Sequence, residues 1–139
     1  FVGDEYKAFS GTAVYTTTIN KVPVADVIKL NLGTVAENAS VYLNGEYIGT
    51  VIDSPYQLYI PAEKFKGQDE LVVRVANSMA NRIAYMDKKG VDWKIFYNVN
   101  MSARKKENVK NGIFDASDWE PKSSGLLGPV TLTPAMVKQ

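Results

Sequence analysis

The sequence predicts an all-β fold, an antiparallel β-sandwich of jelly-roll type. Two observations carry this: at least seven short segments in which apolar and polar residues alternate, and turn residues between them. A third is size. The chain has 139 residues, 45% of them hydrophobic and 22% charged, which is enough to bury roughly two-thirds of the unfolded surface around one core. Residues 1–139 therefore read as a single domain.

The elements follow in order. Thr12–Ile19 (TAVYTTTI) is rich in β-branched and aromatic residues, which suit a pleated surface. From Val27 to Gly33, Ile28, Leu30 and Leu32 alternate with Lys29 and Asn31. From Ala39 to Leu43, Ala39, Val41 and Leu43 alternate with Ser40 and Tyr42. Asn44-Gly45 then separates this run from EYIGTVI, a type I′ hairpin signal because both turn positions need positive φ. After Pro55, YQLYI places Leu58 and Ile60 on one face, and PAEKFKG reads as a turn with one helical turn. Leu71, Val73 and Val75 mark the clearest strand. PVTLTPA is the last, with Val130 and Leu132 expected to face inward.

The span from about Asn77 to Ser124 leaves this spacing. Met79, Ile83 and Met86 recur at near-helical intervals, WKIFYNVNM reads as a strand, and ARKKENVKNGIFDASDWEPKSSG is polar and turn-rich. The span also holds Trp93, Trp119, Tyr85, Phe96, Tyr97 and Phe114. A disordered loop is poorer in aromatics, so a long ordered excursion packed on the sandwich is expected.

Composition narrows the chemistry. With neither Cys nor His, disulfides, thiolate nucleophiles, Cys-ligated metals and the Ser-His-Asp triad are excluded. The balance of 16 Lys plus Arg against 15 Asp plus Glu argues against a nucleic-acid binder, and the short basic run Arg104-Lys105-Lys106 reads as solvated loop. No apolar run approaches the ~20 residues that span a bilayer, so membrane insertion is not expected. The chain opens on Phe1 without a signal-peptide pattern, which suggests a piece of something longer.

Four stretches, FSGTAVYTTTI, LNLGTVAENASVYLNGEYIGT, ELVVRVANSMANRI and SSGLLGPVTLTP, occur in that order. Together they resemble the sugar-binding, galactose-binding-like β-sandwich domain of glycoside hydrolase family 2. The likeness is greatest to the accessory sandwich of bacterial family 106 α-L-rhamnosidase-type enzymes, and it runs from about Phe9 to Pro134. It implies a non-catalytic accessory module of a secreted, periplasmic or outer-surface bacterial glycoside hydrolase. The implied partner is the catalytic domain of the same parent chain, with oligosaccharide as a further ligand. An autonomous carbohydrate-binding module and a structural interdomain spacer are the alternatives. The resemblance also places Asp115, Asp118 and Trp119 where an acidic residue and a Trp approach the sugar in family 2 β-galactosidases. Glu120-Pro121-Lys122 departs from that spacing.

The candidate carbohydrate-binding residues are Trp119, Asp118, Asp115, Tyr85, Arg82 and Asn81. Trp faces stack on sugar C–H faces, yet large aromatics are usually buried, and packing is the favoured reading for Trp119 and Trp93. Asn77, Asn81 and Arg82 suit hydroxyl-rich ligands and equally suit loop anchoring, the favoured role. Asp87, Asp92, Asp115, Asp118 and Glu120 form an acidic set. Spacing does not show the paired geometry that glycoside hydrolysis needs, and solvated charges with local caps are expected. No catalytic residue and no cofactor is expected. Asp53 with nearby carbonyls is the one position considered for a structural Ca²⁺, although no Asp-rich calcium loop is present. Asn38-Ala39-Ser40 and Asn100-Met101-Ser102 match an N-glycosylation pattern that has no meaning in a bacterial protein.

Overall fold

The computed structural model describes residues 7–95 and 105–136. They divide by their packing into two units. Unit 1 is Ser78–Ser123 with the N-terminal residues through Gly11, and unit 2 is Thr12–Asn77 with the segment from Ser124 onward. The excursion seen in the sequence is thus nearly coextensive with unit 1.

Unit 2 is an all-β sandwich. Its strands are β1 (Gly11–Ile19), β2 (Val27–Asn31), β3 (Thr34–Ala36), β4 (Asn38–Leu43), β5 (Glu46–Val51), β6 (Gln57–Pro61) and β7 (Asp69–Asn77). In unit 1, α1 (Ala80–Lys88), β8 (Val109–Lys110) and β9 (Ile113–Phe114) follow, and β10 (Gly125–Gly128) and β11 (Thr131–Ala135) return to unit 2. One sheet has the order β1-β7-β4-β5 and another β11-β2-β6, while β10 pairs with β3. The pairings of β4 with β5 and β7, of β2 with β6 and β11, and of β3 with β10 are antiparallel.

The alternation seen in the sequence is the reason for the core. Ala39, Val41 and Leu43 of β4 and Leu71, Val73 and Val75 of β7 point inward, onto Leu30 of β2 and Ile60 of β6. Leu58 and Leu132 are partly buried against the same cluster. Val130 does not face inward: it precedes the first residue of β11 and is 41% exposed. The Asn44-Gly45 turn has φ of 51° and 80°, the positive values a type I′ hairpin needs. Asn44 also ties this turn to β7: its backbone N–H donates to Glu70 O at 2.8 Å, and its Oδ1 accepts from Glu70 N at 2.9 Å.

Gly33 shows why one glycine is required. Its φ is +68°, and a Cβ built there would lie 2.3 Å from the backbone carbonyl carbon of Gly128. The two backbones pass at a distance that only a glycine permits.

Unit 1 has its own small core. Phe114 and Ala116 are buried, with Ile83, Ala84, Trp93 and Trp119 packed around them. The helical spacing of Met79, Ile83 and Met86 is realised in α1, which ends where Val91 N bonds Met86 O at 2.9 Å and Gly90 N bonds Asp87 O at 3.1 Å. The expected WKIFYNVNM strand is not formed over Trp93–Ile95, and its remainder lies outside the described residues, as do Phe96, Tyr97, Arg104 and the Asn100 pattern. A hairpin that was not expected, β8 with β9, turns on Asn111-Gly112 with φ of 51° and 77°.

Candidate functional site

The site is built from three loops of unit 1 held by amide side chains. Asn81, 9% exposed at the first turn of α1, makes a two-point clamp. Its Nδ2 donates to Lys122 O and its Oδ1 accepts from Lys122 N, both at 2.8 Å. Asn108 precedes the β8–β9 hairpin and is 7% exposed. Its Oδ1 accepts the indole N–H of Trp119 at 2.8 Å. The Trp119 ring meets Phe114 edge-on, with centroids 5.7 Å apart and planes at 75°.

These anchors leave a half-open cleft of about 480 Å³. Its walls are Ala80 and Asn81 of α1, Lys105, Glu107 and Asn108, and the Asp118–Glu120 turn with Lys122. Trp119 lies in the lining with its polar edge already satisfied, so it presents ring surface rather than a free donor. Acidic and basic side chains share the rim.

A carboxylate–ammonium triad stands beside it. Lys110 Nζ lies 3.1 Å from Asp118 Oδ2 and 3.4 Å from Asp115 Oδ1. The hydrogen bond to Asp118 raises the ammonium's pKa, opposed by burial and reinforced by Asp115. Asp115 accepts bonds from the hydroxyl and the backbone N–H of Ser117, and Lys110 adds its charge. The Ser117 hydroxyl is the largest influence, burial opposes it, and the carboxyl ends below its ordinary range.

The cleft brings together three of the six candidate residues, Asn81, Asp118 and Trp119. Asp115 stands one salt bridge away through Lys110. Tyr85 and Arg82 are exposed on α1 and do not line the cleft. Sequence reasoning did not single out Lys105, Glu107, Asn108 or Lys122 as lining residues. The Asn111-Gly112 pair was the available signal, since a hairpin there sets Asn108 just ahead of it.

Asp87 has a different place from the expected solvated charge. Its side chain is 1% exposed. Oδ1 accepts from Trp93 Nε1 and Lys94 Nζ, each at 2.7 Å, and Oδ2 accepts from Ala116 N at 2.8 Å. Asp53 Oδ1 accepts from Ser54 N at 2.7 Å, an ordinary turn bond. Among the described residues no three His, Cys, Asp or Glu side chains gather as a metal site, and no helix is long and apolar enough to cross a membrane.

No protein-family model matches the chain. A solved rhamnosidase from Novosphingobium sp. PP1Y is similar to it over 95% of the chain, with 29% identity and a TM-score of 0.72. A Formosa agariphila protein carrying a provisional beta-glucuronidase name is 33% identical over 91% of the chain. The chain spans about 12% of the length of each of these two relatives. The Bifidobacterium dentium beta-glucuronidase, in complex with coumarin-3-O-glucuronide, is alike over 53% of the chain at 26% identity and a TM-score of 0.43. That likeness is too slight to carry an argument. The relatives are glycoside hydrolases by name, and this chain matches a small part of each.

Proposed function

We propose that the chain is a non-catalytic accessory β-sandwich module, of the galactose-binding-like type, belonging to a bacterial glycoside hydrolase exported from the cytoplasm. It supports the catalytic domain of the same parent chain and contacts carbohydrate through the cleft at Trp119. The observation that carries this reading is the rhamnosidase likeness, which takes in 95% of this chain and only 12% of the other. The Asp115–Asp118 pair beside the cleft supports the non-catalytic part. Glycoside hydrolysis needs one carboxyl kept protonated near neutral pH opposite a second carboxylate. Asp115 is driven the other way, and Asp118 is paired with Lys110.

The cleft itself favours a second reading, an autonomous carbohydrate-binding module. It offers an aromatic wall and a polar rim of the kind that small-molecule sites use. One experiment separates the readings. The chain is incubated with nitrophenyl rhamnoside, galactoside and glucuronide, and its tryptophan fluorescence is titrated with the corresponding sugars and oligosaccharides. No turnover is expected, and turnover at enzymatic rates overturns the non-catalytic role. A saturable fluorescence change, absent in Trp119→Ala while the far-UV spectrum persists, supports binding at the cleft. No change at millimolar sugar overturns the carbohydrate contact and leaves the supporting role alone.

A further inference from the structure

The outward face of the four-stranded sheet carries chemistry that the cleft does not use. Since Ala39, Val41, Leu43, Leu71, Val73 and Val75 are buried, the alternate residues of β4 and β7 point away from the core. The register sets them in rows. Thr50, Ser40 and Arg74 lie side by side across β5, β4 and β7, and Tyr47, Tyr42 and Val72 form the next row.

The side chains of these rows are organised. The Arg74 guanidinium lies over the Tyr42 ring, 5.1 Å from its centroid, and Tyr42 meets Tyr47 edge-on at 5.5 Å. The Ser40 and Thr50 hydroxyls are 2.8 Å apart, and the Tyr47 hydroxyl is 2.9 Å from that of Thr50. Three hydroxyls joined by two bonds keep one proton to donate outward. Tyr47 is 55% exposed. Arg74 is exposed too, and no carboxylate among the described residues lies within ion-pair reach of it. Glu70, the nearest acidic residue on this face of β7, is about 13 Å away along the strand. Arg74 is therefore a cation held over an aromatic ring in the middle of a hydroxyl-bearing surface, with no counter-anion among the described residues.

We propose that this sheet face is a second glycan-binding surface, selective for an anionic sugar, with Arg74 taking the charged group and Tyr47 stacking on the ring beside it. Charge complementarity carries the choice of ligand. A guanidinium presents a planar fork of N–H donors that fits a carboxylate or a sulfate, and the exposed Tyr supplies a face for sugar C–H groups. An apolar protein partner fits less well, because the rows would bury an unpaired guanidinium and a chain of hydroxyls. The proposal shares carbohydrate chemistry with the reading of the cleft but none of its residues.

The test is calorimetric titration of the whole chain with oligogalacturonate (carboxylate), a sulfated galactan oligosaccharide (sulfate) and a neutral galactan oligosaccharide. Binding of one or both anionic glycans and not of the neutral one is expected, weakening as salt rises. Which anionic glycan binds identifies the charged group. Arg74→Gln is expected to weaken binding about tenfold or more, Tyr47→Ala about fivefold, and Arg74→Lys less than Arg74→Gln. Both positions are exposed, so the fold is expected to survive, as checked by the urea midpoint. Trp119→Ala is expected to leave this binding unchanged, which separates it from the cleft. Three outcomes overturn the proposal: no binding of either anionic glycan, equal binding of the neutral one, or Arg74→Gln and Tyr47→Ala both within twofold of the parent chain.

Discussion

The indole N–H of Trp93 donates to the carboxylate of Asp87 at 2.7 Å, and the same oxygen takes the Lys94 ammonium at the same distance. The second oxygen takes the backbone N–H of Ala116, 29 residues further along the chain. One buried carboxylate thus joins α1, the Trp93 segment and the loop after β9. Among the described residues, the core of unit 1 gathers Phe114 and Ala116 with Ile83, Ala84, Trp93 and Trp119, and this node ties the segments that carry them together.

Asp87→Ala is expected to loosen unit 1, at a cost of about 2–4 kcal/mol, because it leaves a half-buried ammonium, an indole N–H and a backbone N–H without their shared acceptor. Tryptophan fluorescence reads this directly, since both Trp residues lie in unit 1. The emission is expected to move to the red in native buffer, while amide exchange in β2, β4 and β7 stays slow. A parent-like spectrum in the variant counts against the node.

The Gly33 crossing gives a paired comparison. Gly33→Ala is expected to cost about 3–4 kcal/mol, combining a left-handed φ with a clash against the Gly128 backbone that no rotamer relieves. Gly45 also has positive φ, at +80°, but a Cβ there would meet nothing within 4 Å. Gly45→Ala is expected to cost about 1 kcal/mol. Urea midpoints of the two variants isolate the steric part, and equal losses would show that the crossing can relax.

What was legible in the sequence was whatever local period or turn chemistry encodes. Ile28, Leu30 and Leu32, and likewise Ala39, Val41 and Leu43, are all buried, because a strand with one face on a core must alternate. Asn44-Gly45 announced its hairpin. Asn111-Gly112 carries the same signal, but its flanking strands have two residues each, too few to show a period. Gly125–Gly128 was not read as a strand, because Gly-Leu-Leu-Gly has no alternation, yet it pairs with β3. Long-range polar partners were not legible at all. Nothing local to Asp87 points to Ala116, and nothing near Asn81 points to Lys122. The candidate cleft was therefore only half visible: Asn81, Asp118 and Trp119 were singled out, Asn81 as a loop anchor, whereas Lys105, Glu107, Asn108 and Lys122 were not.

Asp69 predicts a pH dependence of unit 2. Its side chain is 1% exposed. Burial pushes the carboxyl upward, but Asn44 Nδ2 at 2.6 Å, the N–H groups of Lys66 at 2.8 Å and Gly67 at 3.1 Å, and the Lys66 charge outweigh it. The pKa falls below the ordinary 3.8. A depressed carboxyl pKa means that the unfolded chain binds the proton more readily. The resulting stability is complete above pH ~4 and is lost as pH falls through the lower folded value. Urea unfolding between pH 5 and 2 is expected to show this decline, and Asp69→Asn to flatten it while costing about 1–3 kcal/mol at neutral pH. An unchanged slope in the variant assigns the acid sensitivity to other carboxylates.

Trp119 holds the cleft by two separable interactions, and two substitutions part them. Trp119→Phe keeps a ring against Phe114 but leaves the Asn108 Oδ1 without its indole donor, at an expected cost of about 1–2 kcal/mol. Trp119→Ala removes both and opens a void beside Phe114, at an expected cost of about 3–4 kcal/mol. If the ring is also the wall on which a sugar rests, Trp119→Phe retains part of any sugar affinity and Trp119→Ala retains none. Calorimetry reads that graded series, because the Phe variant keeps a smaller apolar face in place. Equal affinity in all three proteins would make Trp119 a packing residue alone, one that shapes the cleft without touching what enters it.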